Sequence, residues 1–185
     1  MPTFKDKVGI KHSIDIVVKR KDGSIKAERH YGDIKDGVKR KIKDSIFTIL
    51  WKRLITKQCV MKDGITNAGK AAVAGLFLKD ISVNDFDWLA IGTGVTAFNA
   101  AQTALVAETH RVAGVGTRVE TAVADDTAQL VVTFSGFTGE ENVSEIGEFN
   151  ADTGGDMGMR QTFTALPVDW DEGDSIVMTV KVQVT

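Results

Sequence analysis

The sequence predicts a mainly β fold, α+β overall: an antiparallel, jelly-roll-like β-sandwich with two or three short helices. Three observations lead there. In the closing segment Ile176, Met178, Val180, Val182 and Val184 alternate with Val177, Thr179, Lys181 and Gln183. That period of two sends one face of a strand into a core and the other toward water. Gly136, Gly139, Gly154-Gly155 and Gly173 then divide the far part of the chain into short pieces, the turn spacing of a sandwich or barrel. The alternating strands and helices that build a parallel sheet are missing.

The elements follow in order. Ile14, Ile16 and Val18 begin a hairpin that turns at Asp22-Gly23, a pair that tolerates positive φ, and returns from Ser24 to His30. After the loop Gly32–Gly37, residues 38–56 place Ile42, Ile46, Ile49, Leu50 and Leu54 on one side of a helix, with Lys39, Arg40, Lys43, Lys52 and Arg53 around the others. Such a basic amphipathic helix packs on its own domain or meets a partner. Thr66 or Asn67 caps a second helix, Ala68–Leu78, whose Val73, Leu76 and Phe77 fall on one face. Residues 86–91 form a short strand ended by Gly92-Thr93-Gly94, and Ala101–Glu108 a helical turn. Further strands are expected at 112–124, 128–135, 142–150, 157–164 and 175–184.

The net charge of −2 conceals an asymmetry. Residues 1–62 carry 17 Lys and Arg against 7 Asp and Glu, while residues 63–185 carry 6 against 18. The chain therefore reads as a basic N-terminal hairpin plus amphipathic helix (1–62), a docking part packed on an acidic sandwich core (63–185). A basic face fits an acidic partner or head-to-tail contacts between copies; a solvated Lys-rich surface accounts for it equally well. No apolar run reaches membrane-span length, and the opening residues have no apolar signal-peptide core. One cysteine, Cys59, suits a reducing compartment and excludes an intrachain disulfide.

Chemistry-bearing patterns fall short of their mechanisms. Gly64–Lys70 matches GxxxxGK, but Ala71 stands where a magnesium-holding hydroxyl belongs. Gly92-Thr93-Gly94 begins a GxGxxG pattern without the surrounding βαβ unit, and a tight turn explains it. His12, His30 and His110 lack metal-ligand spacing. Asp169, Asp171, Glu172 and Asp174, like Asp125-Asp126, read as turns. No catalytic residue, metal or cofactor is expected.

Motif order carries a resemblance. After the hairpin come Thr66-Asn67-Ala68-Gly69 at a helix start and Ala90-Ile91-Gly92-Thr93-Gly94 at a strand end. Then follow Thr103, Leu105, Glu108 and Arg111; Val143–Asn150 with Glu145 and Gly147; and Met157 or Met159 with Arg160 and Phe163. In this order the chain resembles small virion proteins of tailed bacteriophages, of the head-decoration, head-fibre or tail-accessory type. The similarity covers most of residues 60–185. It departs at Val95–Phe98, where the pattern has a proline, and at 38–56, which looks inserted.

The resemblance implies a non-enzymatic β-sandwich that stabilises a capsid or tail by protein–protein contacts. It implies a homo-oligomer, trimeric or otherwise, partnered by major capsid or tail proteins; a membrane partner is not expected, and nucleic acid is the less favoured partner for the basic residues. It places the chain in the virion after synthesis in the bacterial cytoplasm. The motif residues Asn67, Gly69, Gly92, Gly94, Glu108, Arg111, Glu145, Gly147 and Arg160 are then structural. Glu108–Arg111 is expected as an i, i+3 pair on a helical turn, and Glu145–Arg160 as a cross-strand pair. The partner-docking residues are Lys39, Arg40, Lys43, Lys52 and Arg53. The alternative is a tail-fibre or baseplate module binding a host receptor or glycan through Trp88, Phe137 and Trp170.

Overall fold

A computed structural model describes residues 10–32, 64–78 and 84–184. The predicted helix 38–56, with Lys39, Arg40, Lys43, Lys52 and Arg53, lies outside the described residues.

The chain lays successive hairpins alternately into two antiparallel sheets. The first sheet has the order β2-β1-β10-β7-β6. Its strands are β1 (Ile10–Lys19), β2 (Ile25–Gly32), β6 (Val115–Val119), β7 (Thr127–Phe134) and β10 (Ser175–Val184). The second has the order β3-β9-β8-β4-β5. It holds β3 (Gly64–Ile65), β4 (Trp88–Gly92), β5 (Glu108–Ala113), β8 (Glu140–Phe149) and β9 (Met157–Asp169). Among the described residues one helix, α1 (Asn67–Leu78), packs on β9.

The two sheets face each other across one apolar core. Ile14, Ile16, Val18, Val132, Phe134 and Met178 from the first meet Leu89, Ile91, Ile146, Met159, Leu166 and Val168 from the second. Period-two alternation makes this possible, because each strand turns every second side chain inward. The hairpin turn falls at Asp22-Gly23, with Gly23 at φ 81°. It is tied by Asp22 Oδ1 accepting from Ser24 N–H. β1 lies beside β10 along its whole length, so the hairpin is part of the first sheet.

Three expectations change. The segment 112–124 is not one strand: Gly114 separates β5 from β6, and its N–H donates to Asp87 O instead of continuing a ladder. A Cβ there would lie 2.7 Å from side-chain methyls of both Leu130 and Val132, so a larger residue at the crossing between sheets would have to displace them. The helical turn at 101–108 is a turn at Ala100-Ala101 and a loop that enters β5 at Glu108. In α1, Leu76 is 60% exposed. The helix comes close to β9 at Gly69, where a Cβ would stand 2.2 Å from Gly158 O.

Candidate functional site

A second, smaller apolar cluster lies on the outer face of the second sheet. Ala90, Phe149 and Met157 form it together with Leu105, and Trp88 packs against it. Leu105 belongs to the loop of residues 93–107, which crosses this face like a strap. The strap is held by one carboxylate. Glu145 Oε1 accepts from Gly94 N–H at 3.1 Å and Ala107 N–H at 2.7 Å, and Oε2 accepts from Val106 N–H at 3.2 Å.

Arg160 completes the clamp. Its Nε and Nη2 donate to Glu145 Oε2 at 2.9 and 2.6 Å, and Nη1 donates to Thr96 O and Gln102 Oε1. Both side chains are fully buried. A buried charge survives only when it is paired and hydrogen-bonded; here the partners come from both neighbouring strands and the strap. The register explains the reach. Gly147 is directly opposite Arg160 and Glu145 lies two residues along β8 on the same face; a Cβ on Gly147 would instead press on Leu105 and Phe149 of the outer cluster, each at 2.9 Å.

The other motif residues adjoin this clamp. A Cβ on Gly92 would meet Ala107 O at 2.2 Å, and one on Gly94 would meet Glu145 Oε1 at 2.3 Å. Both positions need glycine for close approach, and neither has positive φ. Thr66 Oγ1 accepts from Gly69 N–H and donates to the carbonyls of Met157 and Gly158. This one hydroxyl caps α1 and ties it to β9; Asn67 is the exposed first residue of the helix.

Glu108 and Arg111 meet on a strand, not on the expected helical turn. Arg111 Nε and Nη2 donate to the two carboxylate oxygens of Glu108 at 2.8 and 2.7 Å. Residues three apart on a regular strand point to opposite faces. An irregularity pairs Ile91 with His110 and Gly92 with Glu108, and the extra residue, Thr109, returns Glu108 to the face of Arg111. The guanidinium also sits 3.7 Å above the Phe149 ring and donates to Ala151 O and Gly154 O.

Both glycine motifs are engaged by the protein's own groups. Around Gly64–Lys70, Asn67 N–H donates to Ala100 O, Gly69 N–H to Thr66 Oγ1 and Lys70 N–H to Thr66 O. The Phe98 ring covers Gly64. In Gly92-Thr93-Gly94, Thr93 N–H donates to Ala107 O and Gly94 N–H to Glu145. A phosphate needs free N–H groups, and these are taken.

The acidic turns likewise hold backbone. Asp126 accepts from the N–H groups of Thr121, Ala122 and Val123, beside Asp125 at φ 61°. Asp174 accepts from Lys26 Nζ and Asp169 N–H. Burial alone would raise the Asp174 carboxyl; those hydrogen bonds and the nearby Lys26 and Arg20 charges outweigh it and hold the carboxyl below its ordinary range. Glu148 is the opposite case. It is half-buried between Leu89 and Met159 on the adjacent strands, and burial pushes its carboxyl up to about 7.

Trp88, Phe137 and Trp170 do not share a surface. Trp170 is 4% exposed, and its indole N–H donates to Glu141. With Phe137 and His110, itself 3.3 Å from Glu141, it forms a packed ring cluster near the start of β8. Trp88 pairs with Phe149 at the far end of that strand. There it borders an open cleft of about 600 Å³ with Asn84, Asp85, Asp87, Asn150 and Asp152.

The described residues contain no group of three or more His, Cys, Asp or Glu side chains placed to hold a metal ion. They also contain no helix long and apolar enough to cross a membrane. No family model matches the chain, and no curated protein or solved structure matches it either.

Proposed function

We propose that this chain is a structural component of a tailed-phage virion, a decoration or accessory protein that binds capsid or tail subunits through protein–protein contacts. One observation carries the reading: the residues in which the chain resembles such proteins are occupied with architecture. Gly92, Gly94, Glu145, Gly147 and Arg160 fasten the strap; Thr66 and Gly69 seat α1; Glu108 and Arg111 brace β5.

In this reading the protein acts by covering a seam between subunits. Each copy adds interface on the order of 1,000 Å² or more, and repetition on a symmetric particle turns weak contacts into strong ones through avidity. Its partners are major capsid or tail proteins and further copies of itself. On charge alone, Lys39, Arg40, Lys43, Lys52 and Arg53 are the proposed docking residues. Quantitative mass spectrometry of gradient-purified particles from the producing host is the test. The expected result is this chain at a fixed, stoichiometric copy number. Its presence only in the particle-free supernatant overturns the reading.

A second reading, a tail module that binds a host receptor or glycan, has Trp88 beside the polar cleft in its favour. Aromatic faces next to Asp and Asn side chains suit sugar rings. A glycan array with a strong hit abolished by Trp88→Ala would favour it over the first.

A further inference from the structure

Among the described residues the two sheets end in four edge strands, and three of these are guarded. β2 carries Lys26, Glu28, Arg29 and His30. β3 is two residues long. β5 bears the Glu108–Arg111 pair, whose arginine also binds the carbonyls of Ala151 and Gly154. Charge, shortness and covering loops are the usual means of keeping an edge from pairing with another chain.

β6 carries a single charge, Arg118, and among the described residues no strand covers it. Its sequence is Val-Gly-Thr-Arg-Val, and all but Val119 are exposed. Val115 is 79% exposed and lies opposite Val131, itself 41% exposed, on the outer face. β7 is its neighbour on one side, and among the described residues no strand lies on the other. Alternate residues of such an edge direct N–H and C=O outward.

We propose that β6 is the edge through which two copies of this chain pair, antiparallel, across a two-fold axis. In the proposed register Arg118 of each copy is opposite Glu120 of the other. Arg118 is the one charge in β6, and a lone charge on an edge ordinarily discourages pairing. Glu120, exposed and two residues further on, supplies the opposite sign on the same side of the chain. Neither has an ion-pair partner among the described residues.

Val119 then faces Val119 of the second copy, with the two charge pairs flanking it symmetrically. The same register carries Val115 toward Val123, which is 68% exposed. The ladder is confined to Arg118–Glu120: the two-fold sets Val115–Thr117 opposite residues 121–123, whose N–H groups already donate to Asp126, so Val115 and Val123 meet through side chains only. The result is a short isologous contact between the edges of two copies. So short a ladder buries less than the roughly 1,200 Å² of a stable free dimer. The association is therefore reversible and concentration-dependent. It stands independently of the virion reading.

Sedimentation of the full chain across the micromolar range tests it. The expected result is a monomer–dimer equilibrium that Arg118→Glu weakens about tenfold or more, because the introduced carboxylate then opposes Glu120 of the other copy. Glu120→Arg, outside β6, should cause the same loss. An equimolar mixture of the two variants should recover dimerisation, since each supplies the charge the other lacks. Far-UV circular dichroism checks that both variants fold. A wild-type chain monomeric throughout, a dimer indifferent to both substitutions, or folded variants that fail to complement on mixing overturns the proposal.

Discussion

Arg160 and Glu145, 2.6 Å apart and fully buried, are the point at which sheet, strap and sequence motif meet. The carboxylate takes three backbone N–H groups of residues 94–107 and two guanidinium donors, so neither partner can be lost without stranding the other's charge. Glu145→Ala should destabilise the fold by about 3–5 kcal/mol, the usual cost of breaking a buried pair from one side. Glu145→Leu combined with Arg160→Met should cost clearly less than the two single changes added together. Urea unfolding of wild type, the two single variants and the double variant measures this; strict additivity would mean that the two side chains are not coupled.

Two kinds of glycine separate in the same assay. Gly92→Ala and Gly94→Ala each put a Cβ within 2.2–2.3 Å of a fixed oxygen and should cost about 1–3 kcal/mol, as overpacking does. Gly116→Ala meets nothing within 4 Å and should stay within about 0.5 kcal/mol of wild type. Thermal melts that rank the three alike would remove the argument from close approach.

Glu148 sets a pH dependence. Its carboxyl stands at about 7 in the folded chain against an ordinary 4.5, so between these values the folded state holds more proton than the unfolded. Stability must then fall as pH rises from about 4.5 to 7 and stay lowered above it. Glu148→Gln should flatten that limb and stabilise the protein at pH 8 by at most about 3 kcal/mol, less to the extent that water reaches the half-buried side chain. Equal loss of stability with pH in variant and wild type would contradict the assignment.

Asp174 acts in the opposite direction. Burial opposes its ionisation, but Lys26 and the Asp169 N–H hold its folded value below the ordinary 3.8. Its contribution is present above that pH and is lost as pH falls through the folded value. Asp174→Asn should therefore lower stability at neutral pH and shrink the acid-side decline. An unchanged acid limb in denaturant titrations would show that the Lys26 contact contributes nothing.

Local pattern makes some of this fold legible. Alternation locates β10, the Asp-Gly pair locates the first turn, and Thr66 with Asn67 locates the start of α1. The failures have physical causes. Ala101–Glu108 has helix-like composition, yet Glu145 captures the N–H groups of Val106 and Ala107, and Leu105 is buried under the strap. Tertiary contacts override propensity there.

The pattern predicts that β9 stops at 164, but the strand continues through Pro167 to Asp169. Beyond β8 its described neighbour is β3, which pairs only with Met159 and Arg160. Pro167 stands opposite Asn142 of β8, and no described strand lies on its other side, an edge position where proline is tolerated. The Glu145–Arg160 pairing is legible because both residues fall on adjoining strands. The anchoring of the strap is not, since its donors are backbone groups that no side-chain pattern marks. The unguarded edge at β6 emerges only once Gly114 is seen to divide the predicted strand 112–124 between two sheets.

Cryo-electron microscopy of the purified particle tests the central claim most directly. The account predicts density for a two-sheet sandwich at regularly repeated positions against capsid or tail subunits, with the 93–107 strap and its buried arginine traceable in each copy. A complete particle map in which every density is filled by other chains would contradict it.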